Sequence, residues 1–256
     1  MRVRGAGPLM AAAALVIALG GVVAACDGSK PLIQQRDDGD DDKVGPFPAA
    51  DRPVADVVSS RWSSEDARDR LREADQVMDR AKIRPGMTVA DIGAGEGYYT
   101  VRLAQRVGKT GRVLAEDIVA AWRDRLAERV SRERLDNVSV RLGEPADPKL
   151  PPTSFDRVLM VHMYHEIEQP YEFLWRLFPA LKSDGLVVVV DADRRTKAHG
   201  TPPALLKCEF EAVGFTQVSI ENMPSAGGYL ATFRATGPRP DPKAIRPCRM
   251  KDNQGG

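Results

Sequence analysis

Only three of the 256 residues are cysteine and only three are histidine. Three cysteines are too few for a dense disulfide scaffold or a four-cysteine zinc site, and the odd number leaves one thiol with a role of its own. Neither sign of charge is in excess: Lys and Arg number 37, Asp and Glu 36, and the formal net charge is +1. The basic footprint of a nucleic-acid binder is therefore missing, and no nucleic-acid partner is expected. No internal repeat is present. What remains, 43% hydrophobic and 29% charged residues, is enough for one globular core and too apolar for a disordered chain.

The N-terminus carries Arg2 and Arg4, then an uncharged run of small and aliphatic residues from Leu9 to Ala25 that stops at Cys26. A basic start followed by a short apolar stretch reads as a signal peptide, residues 1–25. Its 17 residues, several of them Ala and Gly, are marginal for a membrane span, so a transmembrane anchor is the lesser alternative. Val23-Ala24-Ala25-Cys26 resembles the lipobox of bacterial lipoproteins, which implies cleavage before Cys26 and acylation of its thiol; ordinary secretion is the other alternative. The expected location is the periplasmic side of a bacterial membrane, with the membrane as partner through that lipid. Cleavage leaves a formal charge of −1, too little for electrostatic attachment, so the lipid would hold the protein. Residues 26–60 are expected to form a flexible tether. Five aspartates lie between Arg36 and Lys43, in a polar stretch that cannot bury enough surface to offset its ordering entropy.

Residues 61–236 read as one α/β domain, and 237–256 as a Pro-rich tail. Ser63 and Ser64 before Glu65 and Asp66 mark a helix start, and Ala67, Leu71, Ala74, Met78 and Ala81 lay one apolar stripe along a helix that Pro85-Gly86 ends. Strands are expected at Thr88–Ile92, Arg112–Glu116, Val138–Leu142, Phe155–Val161 and Leu186–Val190, alternating with helices at Tyr98–Val107, Val119–Arg134 and Tyr171–Lys182. The run Leu186-Val187-Val188-Val189-Val190 is apolar on both faces, as a parallel strand covered by helices on each side must be. A further helix at Pro203–Val213 precedes strands at Phe215–Ile220 and Gly228–Ala235, which only a loop separates, so they should pair antiparallel. The fold class is a doubly wound, Rossmann-like sheet of seven mostly parallel strands with an antiparallel C-terminal hairpin.

Asp91, Gly93, Gly95 and Gly97 stand in Asp91-Ile92-Gly93-Ala94-Gly95-Glu96-Gly97-Tyr98, where a strand hands over to a helix. Glycines there let the backbone turn sharply and let a ligand approach closely. The spacing is G-x-G-x-G and an acid precedes it. A dinucleotide loop has a different spacing, and Asp91 would repel phosphate but suit an ammonium group. Glu116 and Asp117 end the second strand, where a carboxylate can accept from both hydroxyls of a ribose.

The segments VADIGAGEGYYT, GRVLAEDI, LPPTSFDRVLMVHMYHEI and SDGLVVVVDAD resemble the class I S-adenosylmethionine-dependent methyltransferases from about Trp62 to about Ala235. The resemblance implies S-adenosyl-L-methionine as cofactor, held by Asp91, Gly93, Gly95 and Gly97. It implies Asp117 on the ribose, with Glu116 second, and Glu144 or Asp147 near the adenine amino group.

All three histidines, His162, His165 and His199, fall just past the fourth and fifth strands, at the end of an open α/β sheet where ligands bind. The resembling family places residues facing the methyl acceptor there. His165 is the first candidate for a general base and His162 a weaker one, Glu166 orients it or binds the acceptor, and Tyr164 stacks on the acceptor or lines the pocket. Two other readings stay open: such histidines also cap backbone groups, and positioning alone can suffice for methyl transfer. A metal site from His162, His165, His199, Asp191 and Asp193 is possible in donor type, but the spacing lacks the zinc-peptidase pattern, and no metal is expected. Tyr98, Tyr99 and Arg194 are candidate pocket residues, whereas helical spacing puts Trp122 in the core.

The expected function is methyl transfer to a small-molecule or lipid-like acceptor by an exported, membrane-anchored enzyme. An exported binding or sensor module without turnover is the alternative, because such a compartment is not expected to hold a pool of the cofactor. A dehydrogenase comes third. With Cys26 acylated, Cys208 and Cys248 remain as an even pair that would persist as a disulfide outside the cytoplasm.

Overall fold

The computed structural model describes residues 45–57 and 64–249. The expected signal peptide, Cys26 and the first part of the tether lie outside them. Seven strands form one sheet: β1 (Thr88–Ile92), β2 (Arg112–Asp117), β3 (Val138–Leu142), β4 (Phe155–Val161), β5 (Leu181–Asp191), β6 (Phe215–Met223) and β7 (Gly228–Ala235). Their order across the sheet is β3-β2-β1-β4-β5-β7-β6. The first five pair in parallel, and β7 runs antiparallel to both β5 and β6. One reversed strand thus sits between two that share a direction.

The valine run of β5 explains the layering. Val187 and Val189 pack with Leu174, Leu177 and Phe210 on one face of the sheet, while Val188 and Val190 pack with Val77, Leu103 and Val107 on the other. All four are fully buried. Each such side chain contributes about 1.5–3 kcal/mol relative to exposure. The helices supplying the two layers are α1 (Glu65–Arg70), α2 (Glu73–Arg80), α3 (Tyr98–Val107), α4 (Ala120–Arg132), α5 (Pro170–Leu177) and α6 (Pro203–Ala212).

Four local expectations are corrected. The single helix through Ala67 and Leu71 is two helices, because Arg72 takes a left-handed conformation (φ 52°) and Leu71 turns outward, 56% exposed. Arg68 spans the break: its guanidinium reaches forward to both carboxylate oxygens of Glu73, at 3.0 and 2.5 Å. The helix at Tyr171 stops at Leu177 instead of Lys182. Pro179 has no N–H for the carbonyl of Trp175, which accepts from Arg239 at 3.0 Å instead. Trp122 is only half-buried; α4 buries Leu126 alone, against Gly97.

The last correction concerns the tether. Its described part, residues 45–57, packs on the domain: Phe47 enters the core and meets Trp175 edge-on at 5.5 Å. Arg52 pairs with Glu209 at 2.8 Å with both side chains fully buried, and also donates to the carbonyl of Ile167. Ala55 N–H donates to the carbonyl of His165, and Thr196 Oγ1 donates to that of Pro53. The aspartate-rich stretch before it hid this strap, which one aromatic and one paired arginine anchor. The tail is fixed as well. Cys208 of α6 is joined to Cys248, Cys248 N–H donates to the Tyr171 hydroxyl, and Trp175 Nε1 donates to the carbonyl of Pro240.

Candidate active site

At the carboxyl end of β1 the chain turns through the glycine loop into α3. Gly97 caps that helix at φ 89°, a conformation that disfavours a side chain, and a Cβ there would collide with Leu126. Beside the loop lies a cavity of about 420 Å³ lined by Ser64, Glu65 and Arg68 from the start of α1, by Asp91, Gly93 and Ala94, and by Tyr98 and Tyr99. Asp91 is buried at its wall, accepts from Thr100 Oγ1 at 2.6 Å, and is pushed up to about 6 by that burial. Arg68 opposes it in sign. Its guanidinium carbon lies 3.7 Å from the centre of the Tyr98 ring, and its charge acts on Asp91 to favour the ionised form.

The two acids ending β2 have different surroundings. Asp117 receives N–H bonds from Gly95 and Val119, both at 2.8 Å. Burial raises it nonetheless. Glu116 is buried against Gly143, where a Cβ would strike its carboxylate, and its Oε1 has no hydrogen-bond partner. Burial, with Asp117 and Asp91 close by, pushes Glu116 up to about 8. After β3, Glu144 turns to solvent and pairs with Lys149 at 3.0 Å, whereas Asp147 is mostly buried and its charge reaches Glu116.

A second cluster stands at the carboxyl ends of β4 and β5. His165 is 2% exposed, and its Nδ1 lies 3.0 and 3.1 Å from the two oxygens of Asp191, the last residue of β5. Asp191 also accepts from Ala192 N–H at 2.8 Å and Thr201 Oγ1 at 2.7 Å. Burial alone would raise Asp191, but the imidazoles of His162 and His165 and the Thr201 hydroxyl hold it down at about 2. His162, with φ 54°, stays partly exposed, its Nδ1 3.9 Å from Asp191. Glu166 Oε1 is 4.0 Å from His165 Nε2, and the His199 ring meets that of His165 edge-on at 5.5 Å.

Tyr164 corrects an expectation. It is fully buried, donates to Glu209 Oε2 at 2.7 Å, and lies under Arg52 of the strap, so it neither lines the cavity nor stacks on a ligand. Of the other pocket candidates, Tyr98 and Tyr99 line the cavity, while Arg194 is exposed on the surface. Sequence reasoning missed Arg68. A charged residue on an amphipathic helix reads as a solvated one, and only the aromatic pair Tyr98-Tyr99 thirty residues on hinted at a platform for it.

Residues 89–185 match the methyltransferase domain family. The chain is 32% identical over 126 residues to (S)-coclaurine N-methyltransferase of Thalictrum flavum, covering 49% of this chain and 34% of that protein. It is 39% identical over 85 residues to nocamycin O-methyltransferase of Saccharothrix syringae, covering 33% and 30%. A ubiquinone/menaquinone biosynthesis C-methyltransferase of Hydrogenovibrio crunogenus is 31% identical over 158 residues, covering 60% and 57%. The chain thus spans about a third to three fifths of the length of these relatives. Among solved structures, a SAM-dependent methyltransferase from Aquifex aeolicus superposes with a TM-score of 0.57 at 22% identity, over 67% of this chain and 97% of that one. The [4+2]-cyclase SpnF does so with 0.57 at 18%, over 74% and 89%. The fold is shared, then, by proteins of different chemistry. Residues 89–185 are thus similar to a methyltransferase domain, and the sheet has the fold of the SAM-dependent methyltransferase from Aquifex aeolicus.

Proposed function

We propose that the protein transfers a methyl group from S-adenosylmethionine to a small-molecule or lipid-like acceptor. The observation that carries this is the cavity wall, which holds buried Asp91 together with Arg68, a guanidinium stacked on Tyr98 and paired with Glu73. Together they suit the ammonium and carboxylate of an amino acid. The bound cofactor supplies an electrophilic methyl on a sulfonium. Asp91 takes the ammonium, Arg68 the carboxylate, and Gly93 and Gly95 let the backbone approach. The orphaned Oε1 of Glu116 supports this carboxylate, ahead of Asp117, as acceptor for the ribose hydroxyls; Asp117 braces the loop through Gly95. Asp147, the less exposed of the two, is better placed for the adenine side than solvent-facing Glu144. The methyl acceptor approaches the rim of β4, where His162 is the accessible imidazole. Positioning does most of the work there, since His165 is enclosed.

Export and lipid attachment at Cys26 belong to the same proposal. Leu9 to Cys26 supports them, as does the Cys208–Cys248 bridge, a bond that persists in oxidising compartments. Among the described residues no helix is long and apolar enough to cross a membrane.

The test is calorimetry of the purified protein with S-adenosylhomocysteine, followed by transfer of labelled methyl groups to membrane and periplasmic extracts, comparing wild type with Asp91→Ala. Saturable binding and Asp91-dependent labelling are expected. Absence of heat and of thermal shift would overturn the cofactor assignment. Binding without labelling of any extract would favour the sensor alternative.

A further inference from the structure

The cluster at the ends of β4 and β5 has an organisation that methyl transfer does not require. His165, Glu166 and His199 each offer a donor atom, and the three donors lie within 4.8 Å of one another. We propose that these residues bind a divalent transition-metal ion of the zinc type, two imidazoles and one carboxylate forming the protein's share of its coordination sphere. This proposal does not depend on methyl transfer.

The geometry of His165 comes first. Its Nδ1 faces both oxygens of Asp191, which also accept from Ala192 N–H and the Thr201 hydroxyl, so Nδ1 is the donor in this contact and Nε2 presents a lone pair. That lone pair points to the side where Glu166 Oε1 lies, 4.0 Å away. A carboxylate behind a histidine, fixing its tautomer and ring plane, is the arrangement that orients metal-binding imidazoles. Here the carboxylate is itself held, by Ala192 N–H and the Thr201 hydroxyl. His165 is thereby set in one orientation without rotamer freedom to lose.

The other two donors come from two single turns. Glu166 sits in a single 3-10 turn, Tyr164–Glu166, and His199 follows another, Thr196–Ala198; both side chains are half-buried. Donors at about 2.0–2.2 Å from one ion stand at most about 4.4 Å apart, so the cluster needs only a small contraction to close. His199 holds a left-handed backbone, φ 55°, between Ala198 and a tightly packed Gly200. A glycine or asparagine would adopt that conformation at lower cost, and such strain collects where a side chain must be aimed. Imidazole nitrogen with carboxylate oxygen suits zinc, cobalt, nickel and iron(II) over calcium or magnesium. Three protein donors leave at least one position for water or an oxygen-bearing ligand.

The site differs from the one weighed on sequence alone. Asp191 faces Nδ1 of His165 and is not a metal ligand, Asp193 is exposed, and His162 stands 3.9 Å from Asp191, outside the three-donor set.

The test uses the full chain without a polyhistidine tag, stripped with a chelator and titrated with Zn²⁺ by calorimetry and with Co²⁺ by visible absorption. One ion per chain with a dissociation constant below about 1 μM is expected, together with cobalt bands characteristic of low coordination number. His199→Ala and Glu166→Gln, at half-buried positions, should each weaken binding at least tenfold while keeping the metal-free thermal midpoint. Asp191→Asn should weaken it by about 10–100-fold as a positioning residue, with the cobalt spectrum altered. His162→Ala should leave the affinity unchanged. No stoichiometric binding up to 1 mM Zn²⁺ would overturn the proposal, as would affinity that survives both His199→Ala and Glu166→Gln, or that depends on His162 in their place.

Discussion

Glu116 and Asp191 are both buried carboxylates at the carboxyl ends of parallel strands of one sheet, β2 and β5, yet they titrate in opposite directions. Burial disfavours the charge of each. Asp191 is held at about 2 by the imidazoles of His162 and His165 and by the Thr201 hydroxyl, whereas burial and the nearby Asp117 raise Glu116 to about 8. Neighbours, not depth, therefore separate them: donors and imidazoles around Asp191, like carboxylates around Glu116. Asp191 has its hydrogen bonds filled, whereas Glu116 is left with an oxygen that has none.

The β4–β5 side should fail hardest when cut. Glu209→Ala leaves the Arg52 guanidinium buried without its carboxylate and Tyr164 without its acceptor, which costs about 3–5 kcal/mol. Urea unfolding would measure the loss, and hydrogen exchange should show residues 45–57 released first. A loss below 1 kcal/mol would mean that the strap is not held by this pair. Asp191→Asn should cost about 3 kcal/mol at pH 7, the range for bonds to an ionised group. Asp191 has a folded pKa below its usual value, so its stabilisation is present above about pH 4 and fades as the pH falls towards 2. The gap between variant and wild type should narrow over that window. A gap constant down to pH 2 would show that the ionised form contributes nothing.

The strands and the glycine loop were legible because their information is local: two-sided valine runs, an acid before G-x-G-x-G, and punctuation by Pro85-Gly86. The rest depended on distant partners. Nothing near Arg68 in sequence announces that it pairs with Glu73 across the break between α1 and α2 or stacks on Tyr98, and nothing near Arg52 names Glu209, 157 residues away. Tyr164 looked like a pocket residue because it follows a strand end. A 3-10 turn instead points it into the core. Cys208 and Cys248 were readable as a pair from their number and expected compartment, and they are bonded.

The β1–β2 side should respond in binding more than in stability. Asp91→Asn removes the negative wall of the cavity and should weaken S-adenosylhomocysteine at least tenfold, about 1.5–3 kcal/mol for a bond to a charged group. Burial raises Asp91 to about 6, so the ammonium meets an ionised partner only above that pH. Wild-type affinity should climb between pH 5 and 7, and the variant's should be flat there. Equal slopes would assign the dependence to another group.

Glu116→Gln should give the smallest effect and the most informative sign. A carboxyl whose folded pKa lies above its unfolded value favours the fold fully below about pH 4.5, and that contribution is lost as the pH rises towards 8. At pH 8 the ligand-free wild type holds a partly ionised, buried oxygen without a donor, a state that glutamine avoids. The variant should therefore be more stable than wild type by about 1–2 kcal/mol at pH 8 and equal to it near pH 5. Its cofactor affinity should fall at both pH values, because a neutral amide is a weaker acceptor for ribose hydroxyls. Asp191→Asn and Glu116→Gln make the same chemical change at two strand ends and should move stability in opposite directions at pH 8. If Glu116→Gln destabilises the ligand-free protein there, the carboxylate has a partner in solution, and the contrast between the two carboxylates fails.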